Sequence, residues 1–433
     1  MALASLARQR RRSELSLGLL VVIIAVGGYI LVALANGPKL PTGLYALLAW
    51  VLGLYLVAHL AIRRFAPFAD ATLLPLAAML NGIGFVTIAR LDHQQARVQS
   101  LWVAIGIGVF VVTLIVIRDV RIFERYRYTV LMLGLFTLLL PLAPAVGRTV
   151  NGGRLWVAFG SLTFEPSEIA KVLLVAFFAA YLVDKRELLT QGRVRVGRHY
   201  LPSLRDLGPL MLAWGVALLV LAYEKDIGTS LLFFGVFAAM LYIATRRGWY
   251  LLGTLVLLAI GSVLAYHAFG HVRVRVDTWI NPWRTRQGDG YQIIQAQYAF
   301  GSGGAYGTGL GLGSPNLIPN AATDFVFAAI GEELGLIGTI GVVAAFMLLV
   351  GSAFRIAADA VRPFSKLFAA GIATILGFQA FLIIGGVTRV IPLTGITLPF
   401  VSYGGSSLVA NFALLAILLR ISDDTARARE SAP

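Results

Sequence analysis

Ionisable side chains stand at the ends of several long apolar stretches, where charge is costly and usually functional. Glu168 and Lys171 lie three residues apart near the start of one stretch. That spacing places both side chains on the same face of a helix. The pair is explained equally well as a neutralised structural ion pair and as a cation held near an anionic ligand.

Two aspartates stand where an apolar stretch begins. Asp226 lies in a tight turn between two stretches and is expected to cap the following helix, which explains it about as well as a function does. Asp324 precedes a stretch that carries Glu332. A continuous helix over 323–354 would be about 48 Å long, against about 30 Å of hydrocarbon. Its first turns, and Asp324, are therefore expected to project from the outer face.

Two segments are rich in small residues. The segment 399–407 reads Pro-Phe-Val-Ser-Tyr-Gly-Gly-Ser-Ser, and its small residues could simply permit close helix packing. The segment 301–311 is rich in glycine but lacks the GxGxxG spacing of nucleotide sites. Its backbone amides could still cradle a pyrophosphate.

The composition indicates which elements must position these residues. Of 433 residues, 58% are hydrophobic and 13% charged, and the mean hydropathy of +0.82 is typical of a membrane protein. There is no cysteine, which excludes disulfides, thiolate metal sites and thiol nucleophiles. The net charge of +15 is better explained by arginines that set membrane orientation than by nucleic-acid binding.

Twelve stretches are long enough to cross a bilayer as helices, for which about 20 apolar residues are needed. They are 16–36, 43–62, 71–89, 99–117, 128–146, 167–183, 208–223, 228–245, 249–269, 326–354, 365–388 and 399–420.

The distribution of basic residues predicts the orientation of these spans. The basic start of the chain leads into the first span without a small-residue cleavage site, so we interpret 1–15 as a cytoplasmic tail. With twelve spans, most arginines and lysines fall on the cytoplasmic side, most densely in 185–205. Both termini are then cytoplasmic, with 422–433 as the second tail.

The segment 270–324 is expected to be the one long irregular loop, on the outer face and interleaved with aromatic residues. Long ordered loops are usually functional. The sequence contains no GxxxxGK[ST] or HExxH motif and no closely spaced histidine pair, which argues against nucleotide and zinc chemistry.

Together these segments resemble the SEDS family of cell-wall polymerases, the group that contains RodA, FtsW and SpoVE. The resemblance covers residues from about 71 to 421, and the ordered set of motifs is very specific. The motifs are Gly153-Arg154-Leu155-Trp156, Glu165 to Lys171, Asp226 to Thr229, Gly290-Tyr291-Gln292 with Gln295, Gly301 to Gly304, Thr323-Asp324-Phe325, Gly331 to Gly335 and Pro399 to Ser407.

The resemblance implies an all-α, multi-pass protein of the bacterial cytoplasmic membrane, with ten core spans and two additional N-terminal spans within 16–63. It implies a glycosyltransferase that polymerises lipid II, an undecaprenyl-pyrophosphate-linked substrate, into a growing glycan strand on the outer face. Such enzymes usually work with a penicillin-binding transpeptidase. The additional spans could dock a partner or serve as passive anchors.

The resemblance also assigns site residues. Asp324 matches the acidic residue regarded as catalytic. The positions expected to bind substrate or support the site are Arg154, Glu168, Lys171, Asp226, Gln295, Glu332 and Ser406.

The substrate implied by the resemblance suggests a mechanism. Because a pyrophosphate leaves without a general acid, one carboxylate base and a source of positive charge are sufficient. Asp324 would take the proton from the acceptor 4-hydroxyl, and that oxygen would attack the donor anomeric carbon with inversion. Lys171, Arg284, Arg286 or a divalent cation such as Mg²⁺ or Mn²⁺ would stabilise the leaving pyrophosphate.

The sequence departs from the family pattern at three places. Glu224-Lys225 replaces the usual Gln-Pro, and Asn320 and Ala322 replace the usual Glu and His.

A role in elongation is favoured over an FtsW-like role in division. A lipid II flippase would favour ionisable groups near the membrane midplane, whereas the carboxylates here are expected toward the outer face, which favours chemistry there. The intact acidic motifs argue against an inactive scaffold.

Overall fold

The computed structural model describes residues 2–37, 43–143, 146–150, 153–159, 162–191, 194–196, 199–201 and 204–430. The helices are α1 Ala2–Asn36, α2 Leu44–Phe65, α3 Leu73–Leu91, α4 His93–Val116, α5 Arg121–Arg125, α6 Arg127–Leu139, α7 Ser167–Asp184, α8 Arg186–Gln191, α9 Leu204–Tyr223, α10 Ile227–Thr245, α11 Gly248–Ala268, α12 Gly270–Ile280, α13 Tyr291–Gly303, α14 Val326–Asp359, α15 Pro363–Val387 and α16 Gly405–Glu430. Short 3₁₀ helices lie at Leu140–Leu142, Pro282–Thr285 and Pro315–Leu317. The strands are β1 Gly147–Val150, β2 Gly153–Phe159, β3 Leu162–Phe164, β4 Val194–Val196 and β5 His199–Leu201.

Helices occupy all twelve stretches that the sequence predicts to cross the membrane. Within the described ranges, nine are long and apolar enough to do so, namely α1 to α4, α10, α11 and α14 to α16. The other three stretches coincide with α7 and with the shorter apolar helices Arg127–Leu142 and Gly208–Tyr223. The all-α, multi-pass class is confirmed, while the number of crossings stays a prediction.

The expectation of one irregular loop over 270–324 is wrong. This segment contains α12 and α13, and α13 buries one apolar face that includes Ile293 and Ala296. The expected tails are also helical: α1 begins at Ala2, and α16 extends beyond 422 to Glu430.

The boundaries of two helices differ from expectation because their backbones leave the helical region. α14 begins at Val326 and is kinked at Gly335, where φ is 64°, so the straight rod expected over 323–354 does not form. α16 begins at Gly405 rather than at 399, because Phe400 adopts a left-handed φ of 65°.

Two small antiparallel sheets are additional to the predicted helices. One is a meander in the order β1-β2-β3, and it begins where the expected span 128–146 ends early. Its central strand, β2, contains Arg154. The other is a hairpin of β4 and β5, inside the basic segment expected to be cytoplasmic.

The chain divides into two compact units. Unit 1 comprises Met1–Arg118, Val274–Ala353 and Gln379–Pro433, and unit 2 comprises Asp119–Arg273 and Phe354–Phe378. In unit 1, α4 packs on α16, and α1 packs on α3. Gly106 of α4 permits the first approach, since a Cβ there would lie 2.5 Å from the Phe412 ring.

A buried polar network ties α1 and α2 together within unit 1. The Glu14 carboxylate has no exposed surface and contacts the Arg11 guanidinium and the His59 imidazole, whose Nδ1 lies 2.6 Å away. The Tyr55 hydroxyl donates to the Glu14 carbonyl at 2.8 Å. Arg11 also donates to the carbonyl of Ala69 at 2.6 Å, so the network extends to the turn before α3.

The core of unit 2 is aromatic. Phe178 of α7 meets Phe237 of α10 with ring centroids 5.6 Å apart, and Phe237 stacks on Trp214 of α9 at 5.0 Å. Phe177 and Tyr181 extend the cluster along α7. These large rings fix how α7, which carries Glu168, packs with α9 and α10, whose facing ends flank Glu224 and Asp226.

Candidate active site

Asp324 lies on a tight turn just before α14. The amides of Thr323 and Phe325 both donate to the carbonyl of Asn320, at 3.1 and 3.3 Å, and Asn320 adopts a left-handed φ of 57°. Asparagine tolerates that conformation better than most residues. The turn holds the half-buried Asp324 side chain outside the helix.

The segment 399–407 holds this turn from the other side. The Ser402 hydroxyl donates to the carbonyl of Thr323 at 2.6 Å and accepts from the amide of Leu398 at 3.0 Å. The amide of Tyr403 donates to the carbonyl of Ala322 at 2.8 Å. Ser406 is buried in the first turn of α16. This motif therefore positions Asp324 through its hydroxyl and backbone.

Arg275 is the cation that acts on Asp324. Its guanidinium Nη1 donates to the carbonyls of Leu393 and Thr394, at 3.1 and 2.6 Å, which anchors it. Burial raises the pKa of Asp324 to about 6, while the charge of Arg275 and a hydrogen bond from Thr323 oppose that rise. The sequence did not predict a role for Arg275. The one feature that could have indicated it is its positive charge within a segment predicted to lie on the outer face.

Gln295 lines an open cleft in unit 1. The cleft has a volume of about 530 Å³ and is lined by Trp283, Arg286, Tyr291 and Tyr298 among others. The rings of Trp283 and Tyr298 lie edge to face with centroids 6.2 Å apart. Exposed aromatic rings beside amide and guanidinium donors suit a ligand with both apolar faces and hydroxyl groups.

Glu332 holds the glycine-rich segment against the kink of α14. Its carboxylate accepts from the amide of Ser314 at 2.7 Å, and its carbonyl accepts from the amide of Thr308 at 2.9 Å. Glu333 accepts from Gly309 through its carbonyl and from the Arg90 guanidinium through its carboxylate. The amides of Thr308 and Gly309 are engaged within the protein and are therefore not available to a pyrophosphate.

The first turn of α7 carries charged residues of unit 2. Glu168 and Lys171 form the ion pair that their spacing predicts, and both are buried. The Ser167 hydroxyl donates to the carboxylate of Glu165 at 2.7 Å. Burial, with the neighbouring carboxylates of Glu168 and Asp226, raises the pKa of Glu165.

Asp226 caps α10, as predicted, because its carboxylate accepts from the amide of Thr229 at 2.9 Å. Glu224 is 2% exposed, and its Oε1 has no hydrogen-bond partner among the described residues. Burial and the charge of Asp226 raise the pKa of Glu224 to about 8. Glu224 is thus a buried carboxyl to which the family motifs assigned no role.

Arg154 extends from β2 and donates to the carbonyl of Ala143 at 3.1 Å. A Cβ at Gly147 would lie 2.9 Å from its Nε, so the guanidinium lies against β1. Arg154 thereby joins the small sheet to the end of the helical segment Arg127–Leu142.

The assigned residues thus lie in both units. Gln295, Asp324, Glu332 and Ser406 belong to unit 1, and Arg154, Glu168, Lys171 and Asp226 belong to unit 2. Across the described residues, no three His, Asp or Glu side chains are grouped so that they could hold a metal ion. The suggestion of Mg²⁺ or Mn²⁺ stays a prediction.

Comparison with known proteins identifies relatives along nearly the whole chain. Residues 62–427 match the family described as cell cycle protein, which comprises FtsW, RodA and SpoVE. A peptidoglycan glycosyltransferase RodA of Mycobacterium tuberculosis is 42% identical over 436 residues, covering 98% of this chain and 93% of that protein. A probable peptidoglycan glycosyltransferase FtsW of Geobacter metallireducens is 36% identical, covering 75% of this chain and 84% of that protein.

Solved structures agree in fold. A chain from a study of a peptidoglycan synthase complex that coordinates polymerization and crosslinking has a TM-score of 0.68 and 28% identity, covering 82% of this chain and 98% of that chain. A crystal structure of a variant of the rod shape determining protein RodA from Thermus thermophilus has a TM-score of 0.59 and 25% identity, with the same coverage.

The ordered motifs, the helical architecture and the match over residues 62–427 lead to one conclusion. The chain belongs to the FtsW/RodA/SpoVE family, the SEDS polymerases.

Proposed function

We propose that this protein is a peptidoglycan glycosyltransferase that polymerises lipid II at the outer face of the membrane, with Asp324 as the general base. The observation that carries the activity is the likeness, over 98% of the chain, to a relative named for that reaction. The environment of Asp324 supports the residue assignment. A half-buried carboxyl with a pKa of about 6 is mostly ionised at neutral pH and still accepts a proton readily.

The reaction follows from this environment. Asp324 removes the proton from the 4-hydroxyl of the acceptor sugar as that oxygen bonds to the anomeric carbon of the donor. The bond to the pyrophosphate breaks on the opposite face, so the configuration inverts. Arg275, anchored by two carbonyls, supplies fixed positive charge beside the base. The aromatic cleft around Gln295 is suited to hold sugar rings of the glycan strand.

The carboxylates of unit 2 favour chemistry over transport. Glu165, Glu168, Glu224 and Asp226 all lie at helix ends or just before them. A flippase pathway would favour ionisable groups at the membrane midplane. We propose that this acidic group, with Lys171, binds and orients polar parts of the substrate.

The relatives also bear on role and partners. The RodA relative aligns over 98% of the chain and the FtsW relative over 75%, which favours a role in elongation and cell shape over division. The neighbour from the peptidoglycan synthase complex supports a penicillin-binding transpeptidase as partner. Both termini are proposed to be cytoplasmic.

The assignment of Asp324 is tested with purified protein and lipid II. Asp324→Asn is expected to lower the polymerisation rate by about 100-fold or more, because general-base catalysis contributes at least that factor. Asp289→Asn changes an exposed acid of the same segment and should keep full activity. Since the raised pKa means that ionised Asp324 costs stability, Asp324→Asn should unfold at the same or a higher temperature.

Polymer formed by Asp324→Asn at the wild-type rate would overturn the assignment of the base. Movement of fluorescent lipid II across vesicles without any polymer would favour the flippase. Restoration of rod shape in cells that lack their elongation polymerase tests the role.

A further inference from the structure

A second cavity lies in unit 2, and none of the residues that line it is an assigned site residue. It has a volume of about 520 Å³ and lies where α7 and α10 end and α15 begins. We define this basic cavity by its three cations, Arg186, Arg246 and Lys366, and by the apolar side chains that accompany them. The apolar members include Leu182, Ile243 and Leu367.

Among the described residues, the three cations of the basic cavity have no acidic partner. No acidic residue lines it, and the described part of the chain provides no ion-pair partner for Arg186, Arg246 or Lys366. Neighbouring basic residues behave differently: Arg127 lies 3.3 Å from Asp184, and Arg362 lies 3.5 Å from Asp119. Three like charges around one cavity repel each other unless an anion enters.

The backbone adds to the attraction for an anion. α15 begins at Pro363, which lines the cavity, and Lys366 follows within its first turn. The unpaired amides of a helix N-terminus favour negative charge. The C-terminus of α10 partly stabilises Arg246, since cations are favourable at helix C-termini.

The apolar side chains of the basic cavity indicate which kind of anion it would bind. Leu182 and Leu367 are buried or nearly so, and they lie beside the three exposed cations. A free phosphate would gain nothing from an apolar floor, whereas a phospholipid presents its phosphate and its acyl chains together. Basic pockets between helices on the cytoplasmic side of a membrane suit such headgroups. An orientation signal alone needs basic residues in a loop but no shared cavity.

We propose that the basic cavity binds the phosphate headgroup of an anionic phospholipid of the cytoplasmic leaflet. The three cations contact the phosphate, and the apolar side chains contact the start of the acyl chains. This proposal does not depend on the proposed polymerase activity.

The test uses the full chain in mild detergent with equal amounts of phosphatidylglycerol and phosphatidylcholine, and native mass spectrometry measures the lipid bound. The variant Arg186→Gln/Arg246→Gln/Lys366→Gln should lose roughly 100-fold in phosphatidylglycerol affinity, since each of the three basic residues contributes about fivefold. The control Arg12→Gln/Arg63→Gln/Arg118→Gln removes three exposed charges of the same predicted face. It should keep wild-type binding.

Equal losses in both triple variants would overturn the proposal, because the attraction would then be nonlocal. Equal binding of phosphatidylcholine to the wild type would also overturn it. Full displacement of phosphatidylglycerol by inorganic phosphate would assign the cavity to a free anion instead. Should the triple variant not fold, Lys366→Gln alone is expected to weaken binding about fivefold, and unchanged binding would contradict the site.

Discussion

At the scale of single residues, the proposed chemistry depends on the pKa of Asp324, which two opposing effects determine. Burial alone disfavours the charged form of a carboxyl, and the nearby guanidinium of Arg275 favours it. The resulting pKa of about 6 keeps Asp324 ionised at neutral pH. Arg275 acts here through the Asp324 carboxyl, so we propose it as a positioning residue for the proposed base.

The first prediction concerns the pH profile of lipid II polymerisation. Because only the ionised carboxylate accepts a proton, kcat/KM should fall as pH decreases through about 6. Arg275→Gln removes the charge that lowers the pKa, so the acidic limb should move to higher pH. Arg275→Lys should return it toward the wild-type position. An acidic limb at the same pH in all three proteins would contradict the role of Arg275.

A second prediction concerns Glu224 and stability. Its folded-state pKa of about 8 lies above the ordinary value of 4.5, so the folded protein binds the proton more tightly than the unfolded chain. Stability should therefore fall as pH rises from about 4.5 to 8. Glu224→Gln keeps the shape of the neutral side chain and removes this contribution.

Melting temperatures measured in detergent from pH 5 to 9 test this. The wild-type Tm should decrease more steeply than that of Glu224→Gln, and the difference between them isolates Glu224 from other titrating groups. Parallel curves would show that Glu224 does not carry a raised pKa.

At the scale of elements, backbone hydrogen bonds join the kink of α14 to the glycine-rich segment 301–311. The amides of Leu336 and Ile337, just after the kink, donate to the carbonyls of Gly304 and Ala305, at 2.9 and 3.2 Å. The kink exposes these amides, which a straight helix would use internally. The motif around Glu332 is thus explained largely by this backbone arrangement.

Gly335→Ala tests whether the kink of α14 needs a glycine to pack against the glycine-rich segment. A Cβ at Gly335 would lie 2.3 Å from the amide nitrogen of Gly307, at a φ of 64° that side chains rarely adopt. We expect a loss of at least about 1–3 kcal/mol in unfolding free energy from the backbone strain alone. The measurement is the Tm of the purified protein.

The matched control is Gly341→Ala, six positions along the same helix, where a Cβ would have nothing within 4 Å. Because alanine forms helices better than glycine, this variant should be as stable as the wild type or up to about 1 kcal/mol more stable. A Gly335→Ala variant that matched this control would show that the kink tolerates a side chain.

At the scale of the whole molecule, the orientation in the membrane decides which chemistry each surface meets. The chain contains no cysteine, so single cysteines can be introduced without a background. Asp289 lies in the segment expected outside, and Ser13 and Ala428 lie near the termini expected inside.

In intact cells, a membrane-impermeant maleimide should label Asp289→Cys and leave Ser13→Cys and Ala428→Cys unlabelled until the membrane is permeabilised. Arginines and lysines concentrate on the side that is not translocated. Labelling of Ala428→Cys but not of Ser13→Cys would mean an odd number of crossings.

Local sequence was enough for the membrane class, the positions of the long apolar helices, the Asp226 cap and the Glu168–Lys171 pair. Each of these depends on residues within one apolar stretch or one helical turn, so local chemistry is sufficient. Only the tertiary structure placed Arg275 beside Asp324, Ser402 against Thr323 and three cations around one cavity. The residues brought together in these places are 49 to 180 positions apart in sequence, and the packing of distant segments decides whether they come near each other. The helices within 270–324 depend likewise on a face that is apolar only in part and is buried by the rest of the fold.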